Sequence, residues 1–120
     1  MYDMPENPTV ARVLSDGWAQ GKVISAVCHG PGALLGATTE TGVPLVKDRR
    51  VAGFTNTEEE ATGNTQNVPY LLEDKLKELG AKFERAEDWA PFAVRDGKLI
   101  TGQNPASSRR VAELVHEALT

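Results

Sequence analysis

The chain holds one cysteine and two histidines, and the cysteine is next to one of the histidines. In "KVISAVCHGPGALL", Lys22 to Leu35, the apolar residues Val23, Ile24, Ala26 and Val27 lead into Cys28, His29 and a Gly-Pro-Gly turn. A thiol reacts as its thiolate, and a neighbouring imidazole can take its proton. A carboxylate on the far side of that imidazole would complete a Cys-His-acid set. The acidic candidates lie downstream in "TEEEATG", where Glu58, Glu59 and Glu60 are all open on the residues alone. Each also has a plain reading as an acidic first turn of a helix. His116 falls off the apolar stripe of the last helix and reads as a surface histidine.

Such a thiol needs a scaffold that presents it. Strand, tight small-residue turn and helix make up a nucleophile elbow, which lifts one side chain clear of the carboxyl end of a sheet. Ala26 and Gly30 supply small residues at the crossing, and the helix start is expected to lower the thiol pKa. The backbone N–H groups of His29 and Gly30 are the candidate oxyanion donors. The competing reading makes Cys28 a small buried hydrophobe, a frequent fate of free cysteine.

The elements around the elbow follow from periodicity. A first helix opens at Asn7-Pro8, carries Val10, Val13, Leu14 and Trp18 on one face, and stops at Gly21. The apolar strand over residues 22–28 reads as covered on both faces, as in a parallel sheet. A short helix over about 31–37 and a short strand over about 50–54 come next. A helical or turn segment at "TEEEATG" then precedes a helix over 67–79, with Val68, Leu71, Leu72, Leu76 and Leu79 in register and Glu73–Lys77 as an i,i+4 pair. "AKFERA" and "FAVRDGKLITG" are strands, the second a hairpin turning at Asp96-Gly97. A last helix opens at Asn104-Pro105 with Val111, Leu114, Val115, Ala118 and Leu119 in register. Alternating strands and helices give an α/β layered fold.

Composition narrows the function classes. The 120 residues suit one domain spanning 1–120, with 40% hydrophobic and 25% charged residues. A net charge of −4, with no basic run longer than a pair, argues against nucleic acid as a partner. No apolar run reaches the roughly 20 residues of a membrane span, and the first residues lack a signal-peptide layout. A lone cysteine suits a reducing, cytoplasmic setting. Neither zinc-ligand spacing nor a phosphate-binding glycine loop is present, so no metal or cofactor is expected.

"AVCHGPGAL" resembles the elbow of the DJ-1/PfpI superfamily, and the likeness to its Hsp31-type branch runs along the chain. "MYDMPENP" is similar to the segment after that family's Gly-His-Gly loop. "VAGFTNTEEEATGNTQNVPYLLEDKLKELGAKFE" resembles its middle section, and "DGKLITGQNPASS" its closing signature. The resemblance implies a flavodoxin-like three-layer sandwich with a mostly parallel sheet, lacking the family's N-terminal β-α units. It implies Cys28 as nucleophile, His29 as its partner and, counting from Gly53-Phe54, Glu59 as the acid. It further implies a cofactor-free, glutathione-independent glyoxalase acting on a small aldehyde such as methylglyoxal, in a homo-oligomer. The family's upstream half supplies a first strand, a glutamate against the thiol and a second oxyanion donor. A chain without it is expected to be weakly active alone and to gain from a separate N-terminal polypeptide. The alternatives are a redox-sensing or chaperone-like module that does not use the Cys-His-acid set in concert, or an inactive fragment. A cysteine peptidase rests on family association only, and a glutamine amidotransferase is rejected for want of its downstream His-carboxylate motif.

Overall fold

The computed structural model describes residues 2–120. Helix α1, Pro8–Ala19, starts as its sequence dictates: the Asn7 side chain accepts from the N–H groups of Thr9 and Val10, and Pro8 takes the first turn. Strand β1, Ile24–Val27, follows. The short helix expected over about 31–37 is present as a 3₁₀ helix, Gly30–Gly36. Strand β2, Arg50–Val51, precedes helix α2, Asn56–Thr62, and helix α3, Leu72–Glu78. Strands β3, Lys82–Phe83, β4, Ala93–Asp96, and β5, Leu99–Gly102, lead to helix α4, Ser108–Leu119.

β1 and β5 pair in parallel, with Val27 opposite Gly102, and β4 pairs antiparallel with β5. β2 and β3 form a separate parallel pair. The sheet order β1-β5-β4 leaves β1 on the edge among the described residues. Cover on both faces of that strand, the sequence expectation, is therefore not met: Ser25 is exposed.

The main core gathers Ile24, Leu34, Leu45, Val46, Val51, Phe54, Leu72, Leu76 and Leu99 beneath the elbow. A second cluster seats Val111 and Leu114 of α4 against Ile100. Each fully buried leucine or isoleucine contributes about 1.5–3 kcal/mol by leaving water, so these clusters fix where β1 and β5 end.

Several boundaries moved. The helix expected over 67–79 begins only at Leu72, because Pro69 has no N–H to give and biases Val68 toward extended backbone. Its Glu73–Lys77 pair is present at 2.6 Å. Val13 is 61% exposed and does not share the buried face of α1. The last helix opens through a 3₁₀ turn, Pro105–Ser107, before α4 proper.

Close packing also falls elsewhere than expected. A Cβ on Gly30 would meet Ala26 Cβ at an ordinary 3.5 Å, whereas on Gly102 it would lie 2.6 Å from Val111 Cγ2 and 3.0 Å from Val27 Cγ2. The β5–α4 contact thus demands glycine where the Gly30 turn does not. Gly102→Ala is expected to cost about 1–3 kcal/mol, the range for overpacking a filled core. Urea denaturation checks this, with Gly97→Asn as a control at an open turn.

Candidate functional site

Cys28 follows the last residue of β1 with φ +63°, a left-handed conformation that costs an L-residue roughly 1–2 kcal/mol. Two backbone hydrogen bonds hold it there. Its N–H donates to the Gly102 carbonyl at 3.0 Å, and its own carbonyl accepts from the Phe54 N–H at 2.9 Å. The half-buried thiol consequently stands off the end of the strand, beside the next side chain in sequence.

His29 Nδ1 lies 3.6 Å from Cys28 Sγ, and His29 Nε2 lies 2.6 Å from Glu59 Oε2. Glu59 is 3% exposed and the His29 side chain 34%. An ionised carboxylate only accepts, so Nε2 carries the proton toward Glu59. The Nδ1 lone pair then faces the thiol. The Phe54 ring packs against the imidazole with centroids 4.3 Å apart. Of the three consecutive glutamates, Glu59 alone reaches His29; Glu60 is exposed and accepts from Thr65 Oγ1. His116 lies on α4, near its exposed end.

Glu58 points elsewhere and is fully buried. Thr55 caps α2 with Glu58 as its reciprocal partner: Thr55 Oγ1 accepts from the Glu58 N–H, and Glu58 Oε1 accepts from the Thr55 N–H. Glu58 Oε2 accepts from the Trp89 N–H and from Asn104 Nδ2, both at 2.8 Å. Burial pushes its carboxyl pKa up, but these hydrogen bonds outweigh burial and hold it below the ordinary value.

The thiol is shifted against expectation. Burial pushes the Cys28 pKa above 9.0, and the Glu58 and Glu59 charges push it the same way. The His29 backbone N–H opposes them by hydrogen bonding to the sulfur. The expected lowering at a helix start does not prevail, because burial above all, and then the Glu58 and Glu59 charges, outweigh the His29 N–H. Sequence reasoning weighed burial of Cys28 but expected a lowered pKa, and it missed the role of Glu58 and the approach of Phe54. The Thr-x-x-Glu spacing of a capping box was the signal for Glu58.

Among known proteins, the chain is 34% identical over 126 residues to "Glutathione-independent glyoxalase HSP31" of Saccharomyces cerevisiae, covering 99% of this chain and 53% of that protein. It superposes on the crystal structure of glyoxalase III from Candida albicans with TM-score 0.91 and 32% identity, covering 98% of this chain and 52% of that one. The chain is similar to Hsp31-type glyoxalases over nearly its whole length and has the DJ-1/PfpI fold. The Rapid Encystment Protein of Francisella tularensis matches with TM-score 0.96 and 38% identity, over 99% of this chain and 53% of that one. No family model matches the chain. The chain spans about half the length of the relatives it matches. Among the described residues no His, Cys, Asp and Glu group could hold a metal ion, and no helix is long and apolar enough to cross a membrane.

Two outcomes follow from this geometry. Because Cys28 is left-handed, Cys28→Gly is expected to be more stable than Cys28→Ala by about 1 kcal/mol, read from urea midpoints. The lowered Glu58 pKa gives stability that is present above about pH 4.5, the unfolded value, and is lost as pH falls through the folded value. Glu58→Gln is therefore expected to cost most at neutral pH, and its deficit should shrink toward pH 3.

Proposed function

We propose that the site supports glutathione-independent glyoxalase chemistry, with Cys28 as nucleophile, His29 as proton carrier and Glu59 as the group that orients it. The observation that carries this reading is the single line Sγ–Nδ1–Nε2–Oε2, built on a strained left-handed Cys28. The curated relative and the Candida structure, both named as glyoxalases, support it.

In the scheme, Nδ1 takes the thiol proton as Sγ adds to the aldehyde carbon of methylglyoxal, giving a hemithioacetal. The proton on that carbon then leaves to a base, and the electron pair spreads into an enediolate. Return of a proton to the neighbouring carbon gives a lactoyl thioester, and water cleaves it to lactate and free thiol. Neither oxidant nor reductant is consumed, since one carbon is oxidised as its neighbour is reduced. The backbone N–H groups of His29 and Gly30 are the proposed donors to the developing oxyanion.

The proton acceptor held beside the thiol favours this reading over a redox-sensing thiol. Oxidation selects exposed cysteines that are ionised without help, whereas Cys28 is half-buried and has a proton acceptor on one side. We propose further that a polypeptide corresponding to the other half of the relatives' length completes the site, and that the active form is a homo-oligomer. The free outer edge of β1 among the described residues supports the first of these.

The test mixes the purified chain with methylglyoxal in the absence of glutathione and follows D-lactate, with and without that second polypeptide. Turnover is expected to rise on its addition and to fall at least about 100-fold in Cys28→Ala, as loss of a nucleophile demands. Lactate formation that survives Cys28→Ala, or none under either condition, would overturn the glyoxalase reading. Light scattering of the active species reads the oligomeric state.

A further inference from the structure

Trp89 has φ +64°, an outlier for so bulky a residue. It stands third in the turn Glu87–Ala90, which the Ala90 N–H closes onto the Glu87 carbonyl at 3.1 Å, at a position where positive φ ordinarily selects glycine. Such strain persists only where the surroundings over-determine it. Here the surroundings are buried polar side chains. Glu58 Oε2 accepts from the Trp89 N–H, and Asn104 Nδ2 donates both to that same oxygen and to the Ala90 carbonyl. Gln103 Oε1 accepts from the Ala86 N–H, and Ser107 Oγ accepts from the Phe92 N–H while donating to Asn104 Oδ1. Glu58, Gln103, Asn104 and Ser107 are all fully buried.

What this clamp presents is the indole. Trp89 is 44% exposed, and its ring meets Phe54 edge-on with centroids 5.6 Å apart. Phe54 is the ring that packs on His29, and its N–H holds the Cys28 carbonyl. A continuous row therefore runs from the buried carboxylate of Glu58 through Trp89 and Phe54 to the imidazole beside the thiol. Glu58 touches neither His29 nor Sγ.

We propose that Glu58 is a positioning residue: by pinning Trp89 in its left-handed turn, it keeps Phe54 against His29 and so keeps Nδ1 aimed at Cys28. The "GQNPASS" signature has its place in this arrangement, since Gln103, Asn104 and Ser107 hold the same loop. The inference rests on Cys28 and His29 being the reacting pair, and not on which aldehyde they take.

Alkylation of Cys28 by iodoacetamide tests it without any aldehyde, and the reading is unambiguous because the chain has no other cysteine. The charge-neutral Trp89→Ala is expected to slow alkylation at pH 7 about tenfold through loss of the aligned base, and Trp89→Phe to recover most of it. Glu58→Asp keeps the charge but withdraws the carboxylate from the Trp89 N–H. It is expected to slow alkylation as Trp89→Ala does and, in a Trp18→Phe background, to shift the Trp89 emission. Glu58→Asp carries the test if Trp89→Ala fails to fold. Wild-type alkylation in a folded Trp89→Ala or Glu58→Asp protein overturns the proposal, as does a Trp89→Phe protein as slow as Trp89→Ala. Normal alkylation effects with no lactate formation would leave the positioning role standing and remove the glyoxalase reading alone.

Discussion

Cys28 can hold its left-handed backbone only because its amide and its carbonyl are both occupied, by Gly102 on one side and Phe54 on the other. Those two hydrogen bonds tie the elbow to β5 and to the segment following β2. The parallel register of β1 and β5, with Val27 opposite Gly102, brings the first partner into place. The buried run Val51–Thr55 brings the second, since the Ala52 N–H is held by Thr101 Oγ1. Strain of roughly 1–2 kcal/mol is small against the burial of the core beneath it, so the fold tolerates a thiol in a position that a glycine would occupy more comfortably.

Two adjacent glutamates then divide the work by the helical turn between them. α2 points Glu59 at the imidazole and Glu58 into the loop that carries Trp89. Both carboxylates are buried, and both raise the thiol pKa through their charge. The site therefore sets a thiol whose pKa is raised beside an imidazole that Glu59 holds.

The closing signature has a structural account of the same kind. Gln103, Asn104 and Ser107 are polar, fully buried and hydrogen-bonded to the loop before β4. Buried polar groups are costly unless satisfied. Their side chains supply to an irregular loop the partners that a sheet would supply to a strand.

The sequence by itself determined the local matters. A strand ending in Cys-His before Gly-Pro-Gly is legible from residue types, as are the Asn7-Pro8 start of α1 and the Glu73–Lys77 pair, because each is decided within a few residues of chain. Residue types narrowed the acid to three neighbours, among which only the family resemblance pointed to Glu59. What it could not determine depends on contacts between distant segments. Which glutamate meets His29 follows from how α2 is docked, thirty residues away. The thiol pKa follows from burial and from two carboxylates that no spacing rule places beside it. The helix expected from 67 was cut to begin at Leu72 by Pro69, a signal that was present but outweighed by the apolar stripe. Burial and long-range electrostatics are sums over the folded surroundings, and only the tertiary structure supplies them.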